Sequence, residues 1–375
     1  MKLSIGIFTY STRPRGSVVH ACALAEALTD AGHDVTLYAL SKANDDWYRS
    51  LRCRSVLIPA EAAPADADAL IAQRVEELRR GLRSLAPRHD VYHAEDCLAA
   101  SGLLAAGALR PLVRTVHHVE HYDSAYLRQC QRRSVLEADG VLCVSKASQR
   151  DVLGEFGVRA TVVPNGVELE RFDARLASRE RLVLSVGGVE PRKNSVGMLR
   201  AMSLVLDRVP DAHWVIVGGA SIWEHAEYRA RFAAELAALP DGIRARVHQL
   251  GTLSEEELAT VYARSELMLH ASVQEGFGLC VLEALAARVP VVVSRGEPFD
   301  EYLDESCASF VDPTSPSSIA AGVLDLLRDR PLMRARKSAG RVRAESFSWA
   351  AAARLHVAFY TSLVSATSER SLSHA

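Results

Sequence analysis

Leu3-Ser-Ile-Gly-Ile-Phe8, a loop over 9–16, the run Ala21-Cys-Ala-Leu24-Ala25-Glu-Ala-Leu28-Thr-Asp-Ala31-Gly32, and Val35-Thr-Leu-Tyr-Ala-Leu40 follow one another near the start of the chain. The outer pieces are short apolar runs of strand length. Between them Ala21, Leu24, Ala25, Leu28 and Ala31 recur at helical spacing. Gly32 stands where a helix ends in a left-handed residue. Strand, helix and strand in that order predict a parallel sheet covered on both faces. The same alternation continues through strand candidates at 90–93, 112–116, 140–144 and 161–163. Pro164-Asn165-Gly166 is a turn signal, and the polar, Arg-rich stretch 168–181 reads as a linker.

A second series opens with Arg181-Leu-Val-Leu-Ser-Val-Gly187 and runs through 213–217, 247–250, 266–270, 289–294 and 308–311. The chain is therefore expected to divide near residue 172 into two similar Rossmann-like units, 1–172 and 173–348. An amphipathic helix over 349–366 and a frayed Ser-rich tail over 367–375 follow. Ligands on such sheets lie at the carboxyl ends of the strands, so the expected site is a cleft between the units.

Of the 375 residues, 49% are hydrophobic and 24% charged, which suits a soluble chain with full-sized cores. The net charge of -2 supplies no overall field for nucleic acid or acidic membranes. Arg74, Arg79, Arg80, Arg83 and Arg88 lie on one helix-like stretch. They read either as a solvated helix face or as a surface touching anionic lipid or an anionic acceptor. The seven cysteines are scattered without a CxxC pair, which argues against a disulfide frame or a zinc site. With no apolar run of spanning length and no signal sequence, the expected location is the cytoplasm, with peripheral contact at the inner membrane face left open.

The second half carries Ser272-Val-Gln-Glu275-Gly276-Phe277-Gly278-Leu279-Cys-Val-Leu-Glu283-Ala-Leu. Two carboxylates stand eight positions apart, with a Gly-x-Gly loop after the first and a helix-forming run carrying the second. A helix N-terminus offers unpaired N–H groups and a partial positive charge, and glycines let a ligand come close to that backbone. Eight residues span about 12 Å if fully helical, which is roughly the reach of a sugar plus a diphosphate. The pattern predicts a nucleotide-sugar site.

Gly187-Gly188-Val-Glu190-Pro191-Arg192-Lys193-Asn194 follows the first strand of the same half. Its adjacent cations suit a diphosphate leaving group, Arg192 as a fork of donors and Lys193 as a point charge. A solvent-exposed basic turn is the plainer alternative. Gly16, in Arg13-Pro14-Arg15-Gly16-Ser17, would let a diphosphate approach the first helix, although neither glycine loop has G-x-G-x-x-G spacing. His117 and His121 stand four apart, as metal ligands on a helix would. They follow a strand, however, so no metal is expected, and His117 at the strand end reads either as bonding a sugar hydroxyl or as a satisfied structural residue. His93, just before Glu95 and Asp96, carries the same ambiguity between a site residue and a structural one. Asp66 and Asp68 are expected at the surface.

Taken in order, these pieces resemble family 4 of the retaining glycosyltransferases, which have the GT-B fold. Gly16 and His20, Asp90-Val-Tyr-His93, Thr115-Val-His117, Val163-Pro-Asn-Gly-Val167, Glu190-Pro-Arg-Lys-Asn194 and the E-x7-E pair Glu275 and Glu283 carry the resemblance. It implies that Glu275 and the backbone of Gly276, Phe277, Gly278 and Leu279 hold the donor sugar. Glu283 would bind the ribose, and Arg192 and Lys193 would neutralise the diphosphate with help from the Gly16 loop. His117 would lie beside the sugar, and the last helix would cross back to the first domain. Gly188 departs from the family, in which Arg is frequent there, and so does the lone Gly16 where a Gly pair is frequent.

The expected activity is retaining, metal-independent transfer of a hexose from a UDP-, GDP- or ADP-linked donor. The acceptor would be a sugar, a lipid-linked molecule or a small molecule, with no cofactor and no nucleic-acid partner. A nucleotide-sugar epimerase of the same fold, a metal-dependent hydrolase centred on His117 and His121, and a non-catalytic sugar-nucleotide binding protein are the alternatives.

Overall fold

The computed structural model describes residues 1–42, 45–64, 66–107, 109–173, 180–219 and 225–372. The chain forms two compact units, Met1–Gly166 together with Trp349–Ala375, and Val167–Ser348.

In the first unit the apolar runs become β1 (Ser4–Thr9), β2 (Asp34–Lys42), β3 (Arg54–Ala60), β4 (Val91–Ala94), β5 (Leu112–Val116), β6 (Gly140–Cys143) and β7 (Thr161–Val162). They pair in parallel in the order β3-β2-β1-β4-β5-β6-β7. All of β4 and β5 is buried, as expected for central strands of a parallel sheet, and His93, Arg114 and Thr115 are buried with them. Phe8 stacks on Tyr38 across neighbouring strands with ring centroids 4.5 Å apart. Asp66, Asp96, Ser124 and Ser145 each start a helix by accepting a backbone N–H three residues on. Asp66 of the surface pair is thus a helix cap.

The second unit holds β8 (Leu182–Val186), β9 (His213–Val217), β10 (Val247–Gly251), β11 (Leu267–His270), β12 (Val291–Ser294) and β13 (Ala308–Val311), in the order β10-β9-β8-β11-β12-β13. Trp214 and Phe232 anchor its core. In each sheet the order reverses beside the first strand, between β1 and β4 and between β8 and β11. On sheets of this kind ligands bind outside the carboxyl ends of the strands at that point.

The structure departs from the sequence reading in four places. Strand β3 was not anticipated, although Val56-Leu57-Ile58 is a short apolar run; it is an edge strand in which only Ile58 is buried. The division falls at Gly166 rather than 172. Val167 donates to the Phe347 carbonyl and Phe172 is buried, so the start of the supposed linker packs into the second unit. Residues 174–179 of that linker lie outside the described residues. The last helix, Trp349–Leu372, runs past the expected tail boundary at 366 and belongs to the first unit.

Arg74, Arg79, Arg80 and Arg83 lie on the helix Ala67–Leu85 and are paired internally, while Arg88 lies beyond its end. Arg74 is buried against Glu77 at 2.6 Å, Arg79 bonds Glu76, Arg80 bonds Glu61 at 3.0 Å, and Arg83 donates to the carbonyls of Ala105 and Ala106. All seven cysteines are free. No helix among the described residues is long and apolar enough to cross a membrane.

Candidate active site

In the second unit, β8 is followed by Gly187-Gly188 and β9 by Gly218-Gly219. Gly187 N–H donates to the Val217 carbonyl at 2.7 Å. A Cβ on Gly218 would sit 2.6 Å from the Gly187 carbonyl carbon, and one on Gly188 would sit 2.3 Å from the Gly219 oxygen. Side-chain-free backbone is thus required where the two strand ends pass. Sequence reading noticed the first pair of glycines and not the second. Beside them a small recess is lined by Ser185, Gly187, Gly188, Lys193, Trp214 and His270, among others.

The turn after β8 is tied to the loop after β11. Arg192 accepts from the Val273 and Gln274 N–H groups at 2.9 and 3.3 Å. Asn194, at φ 56°, donates to the Ala271 and Pro313 carbonyls at 3.0 and 2.7 Å. These bonds bring both cations to Glu275. Lys193 Nζ lies 2.5 Å from Glu275 Oε2, and Arg192 lies 3.7 Å from Oε1 and 3.2 Å from Glu190. His270 bonds Glu275 Oε2 at 3.1 Å. Burial works to raise the Glu275 pKa, but Lys193, the His270 hydrogen bond and Arg192 outweigh it and hold the carboxyl well below its usual range. Burial, assisted by Lys193, lowers the His270 pKa.

Glu275 lies in a loop, and the helix Leu279–Ala286 begins only after Gly278. The two carboxylates are therefore not joined by the continuous helix that the 12 Å estimate assumed. No side chain caps that helix, and Gly278 takes φ 87° at its start. Phe277 is buried and stacks on Tyr302 at 4.9 Å, while its carbonyl accepts from the Tyr302 hydroxyl at 2.9 Å. Its ring therefore anchors the loop from behind. Glu283 accepts from the Tyr262 hydroxyl at 2.9 Å. Burial raises its pKa, with Tyr262 and Arg171 opposing. Phe172 packs edge-on against Tyr262, with the Arg171 guanidinium 5.3 Å from the Phe172 ring centroid. Tyr262 and Arg171 went unread because a Tyr at helical spacing looks like core and an Arg in a polar stretch looks solvated.

In the first unit the loops at the reversal of strand order also converge. Gly16 opens the helix Gly16–Asp30, whose start has no side-chain cap, and nothing lies within 4 Å of where its Cβ would be. His117, at the end of β5, bonds Glu95 through Nε2 at 2.9 Å. His121 is not part of this group. Three residues that sequence reading did not connect to His117 surround it. His20 stands edge-on at 4.9 Å between ring centroids, His93 Nε2 lies 3.6 Å from Glu95, and His356 comes from the last helix. His93 bonds Thr115 at 2.7 Å and Tyr360 at 2.6 Å, which gives it a structural role. Burial pushes the Glu95 carboxyl up to about 7, against His20 and Arg114. Burial also lowers the pKa values of His20, to about 4, and of His93 and His117.

Two parallel-sheet units of this kind, each with its functional loops where strand order reverses, define the GT-B class of glycosyltransferases. Residues 14–171 match the profile of Glycosyltransferase Family 4, and residues 167–343 match that of Glycosyl transferases group 1. The chain belongs to this glycosyltransferase family. It is 29% identical to the MMP alpha-(1->4)-mannosyltransferase of Mycolicibacterium hassiacum, covering 96% of this chain and 98% of that one. It is 32% identical to the GDP-mannose-dependent alpha-(1-6)-phosphatidylinositol monomannoside mannosyltransferase of Mycolicibacterium smegmatis, covering 69% and 73%. Among solved structures, sucrose-phosphate synthase from Thermosynechococcus elongatus superposes with a TM-score of 0.82 at 21% identity, covering 97% of this chain and all of that one.

Proposed function

We propose that this glycosyltransferase moves a hexose from a nucleoside-diphosphate donor to an acceptor hydroxyl with retention at the anomeric carbon and without a metal ion in the step. The observation that carries the reading is the pair of adjacent cations on a turn pinned to the Glu275 loop. A diphosphate leaving group takes the electron pair of the C1–O bond, and fixed cations stabilise the charge it gains. Lys193 and Arg192 supply that charge, so the leaving group needs no divalent ion and the enzyme no further cofactor. The acceptor oxygen bonds C1 on the face the diphosphate leaves, and its proton passes to the departing phosphate. Glu283 would take the ribose hydroxyls, Glu275 and the backbone of 276–279 the sugar, and His117 a sugar hydroxyl near the reacting carbon. The Gly16 helix start would add N–H donors for the diphosphate.

Both relatives named above are mannosyltransferases, one of them GDP-mannose-dependent, which puts GDP-mannose first among donors to try. A thermal-shift screen with UDP, GDP and ADP selects the base. A nucleotide present at 100 times its Kd adds about 2.7 kcal/mol of stability. Turnover undiminished in EDTA, with the product keeping the donor's anomeric configuration, is the expected result. Inverted product, or activity lost on chelation and restored by a divalent ion, would count against the mechanism.

A further inference from the structure

We propose that His20, Glu95 and His117 form a binding site for a divalent first-row transition metal of the zinc type. The three side chains offer two imidazole nitrogens and a carboxylate, the donor set that such an ion prefers, with ligand atoms all within 4.8 Å of one another.

The decisive feature is how the two fully buried members face each other. His20 Nδ1 lies 2.9 Å from Asn165 Oδ1, an oxygen that can only accept, so Nδ1 carries the ring hydrogen and Nε2 presents a bare lone pair. That lone pair and Glu95 Oε1 are 3.7 Å apart. Neither atom has a hydrogen-bond partner among the described residues. Two buried acceptors this close are costly unless a proton or a metal ion lies between them. Their separation is too long for a hydrogen bond, and a water donating to both wants them about 4.5 Å apart. A metal about 2.1 Å from each fits the gap at an angle of roughly 120°. His117 Nε2 approaches the other carboxylate oxygen at 2.9 Å and completes a third ligand position. On binding, His117 moves its hydrogen from Nε2 to Nδ1 and exchanges the bond to Glu95 for one to the metal. Asn165 holds the His20 ring as a partner beyond the ligands, the arrangement by which metal-binding histidines are oriented. His117, whose side chain is 16% exposed, gives the ion its way in.

A metal here would hold His117 away from the sugar, so loading should lower turnover. That consequence rests on the role proposed for His117 above; the binding does not. The test is titration of the metal-stripped chain with Co2+, followed by visible absorption and then displacement with Zn2+. The expected result is one ion per chain, with Glu95→Gln and His117→Ala each weakening binding at least tenfold while thermal melts show both variants folded. His117→Ala, at the accessible position, is the variant least exposed to folding failure. Absence of saturable one-to-one binding in the wild type overturns the proposal. So does undiminished binding in both variants, which would place the ion elsewhere, for example at His213 and His248, whose Nδ1 and Nε2 atoms lie 3.0 Å apart. Metal binding without loss of turnover would support the site and remove His117 from the transfer step. Absence of metal binding in an active wild type would overturn the site and leave the transfer reading standing.

Discussion

Arg192 and Lys193 are neighbours of like charge in unlike surroundings, and the difference predicts different mutant behaviour. The Lys193 side chain is 11% exposed and pairs with Glu275, which is 12% exposed, whereas Arg192 is 30% exposed. Removing one partner of a buried ion pair costs about 3–5 kcal/mol, because the other charge is left without compensation. Lys193→Ala should therefore lower both turnover and melting temperature. Arg192→Ala should lower turnover at least tenfold with a small change in melting temperature. Steady-state kinetics beside thermal melts separates the two, and normal turnover in Arg192→Ala would remove that residue from the leaving-group role.

Glu283 behaves in the opposite sense. Its folded pKa is raised, mainly by burial, so it destabilises the ligand-free fold once the pH exceeds the ordinary carboxyl value. Glu283→Gln can still accept from Tyr262. It should melt at a higher temperature than wild type near neutral pH, and no higher at acid pH, while losing nucleotide affinity. An unchanged nucleotide Kd would show that the carboxylate does not hold the ribose.

At the scale of elements, the loop 272–278 and the helix behind it are held from beneath by aromatic rings. A Cβ on Gly278 would meet the Phe299 ring at 2.7 Å, and φ 87° is already unfavourable for any other residue. Gly278→Ala should cost about 1–2 kcal/mol for the left-handed backbone alone, read as a lower melting temperature. A neutral result would mean that the loop is not anchored this way.

Much of this element was legible in the sequence, because Gly-x-Gly before an apolar helical run between two strands has few readings. What sequence could not give was the partner of each charge. Lys193 and Glu275 are 82 positions apart, and nothing local says that they meet. The cluster around His117 was hidden for the same reason. Glu95 follows β4, His20 sits on the first helix, and His356 comes from the last helix, so only the parallel order of the strands assembles them. Strand β3 carries only the three-residue run Val56-Leu57-Ile58 before Pro59, too short a signal to stand out beside the longer runs.

Across the whole molecule, the two units repeat one design, a parallel sheet whose order reverses beside its first strand, and each gathers a cluster of titratable groups at that reversal. The pH response follows from the second unit. The Glu275 pKa is depressed in the fold, so its contribution to stability is complete above the unfolded carboxyl value of about 4.3 and disappears as pH falls through the lower folded value. The melting-temperature gap between wild type and Glu275→Gln should be constant from neutral pH to about pH 5 and close in stronger acid. A gap that widened on acidification would contradict the pairing.

The most direct test of the whole account is a crystal structure of the chain with a nucleoside-diphosphate sugar. The account predicts ribose hydroxyls within hydrogen-bond distance of Glu283 and phosphate oxygens on Arg192 and Lys193. A donor bound away from these side chains, or one whose diphosphate does not reach the 190–194 turn, would contradict it.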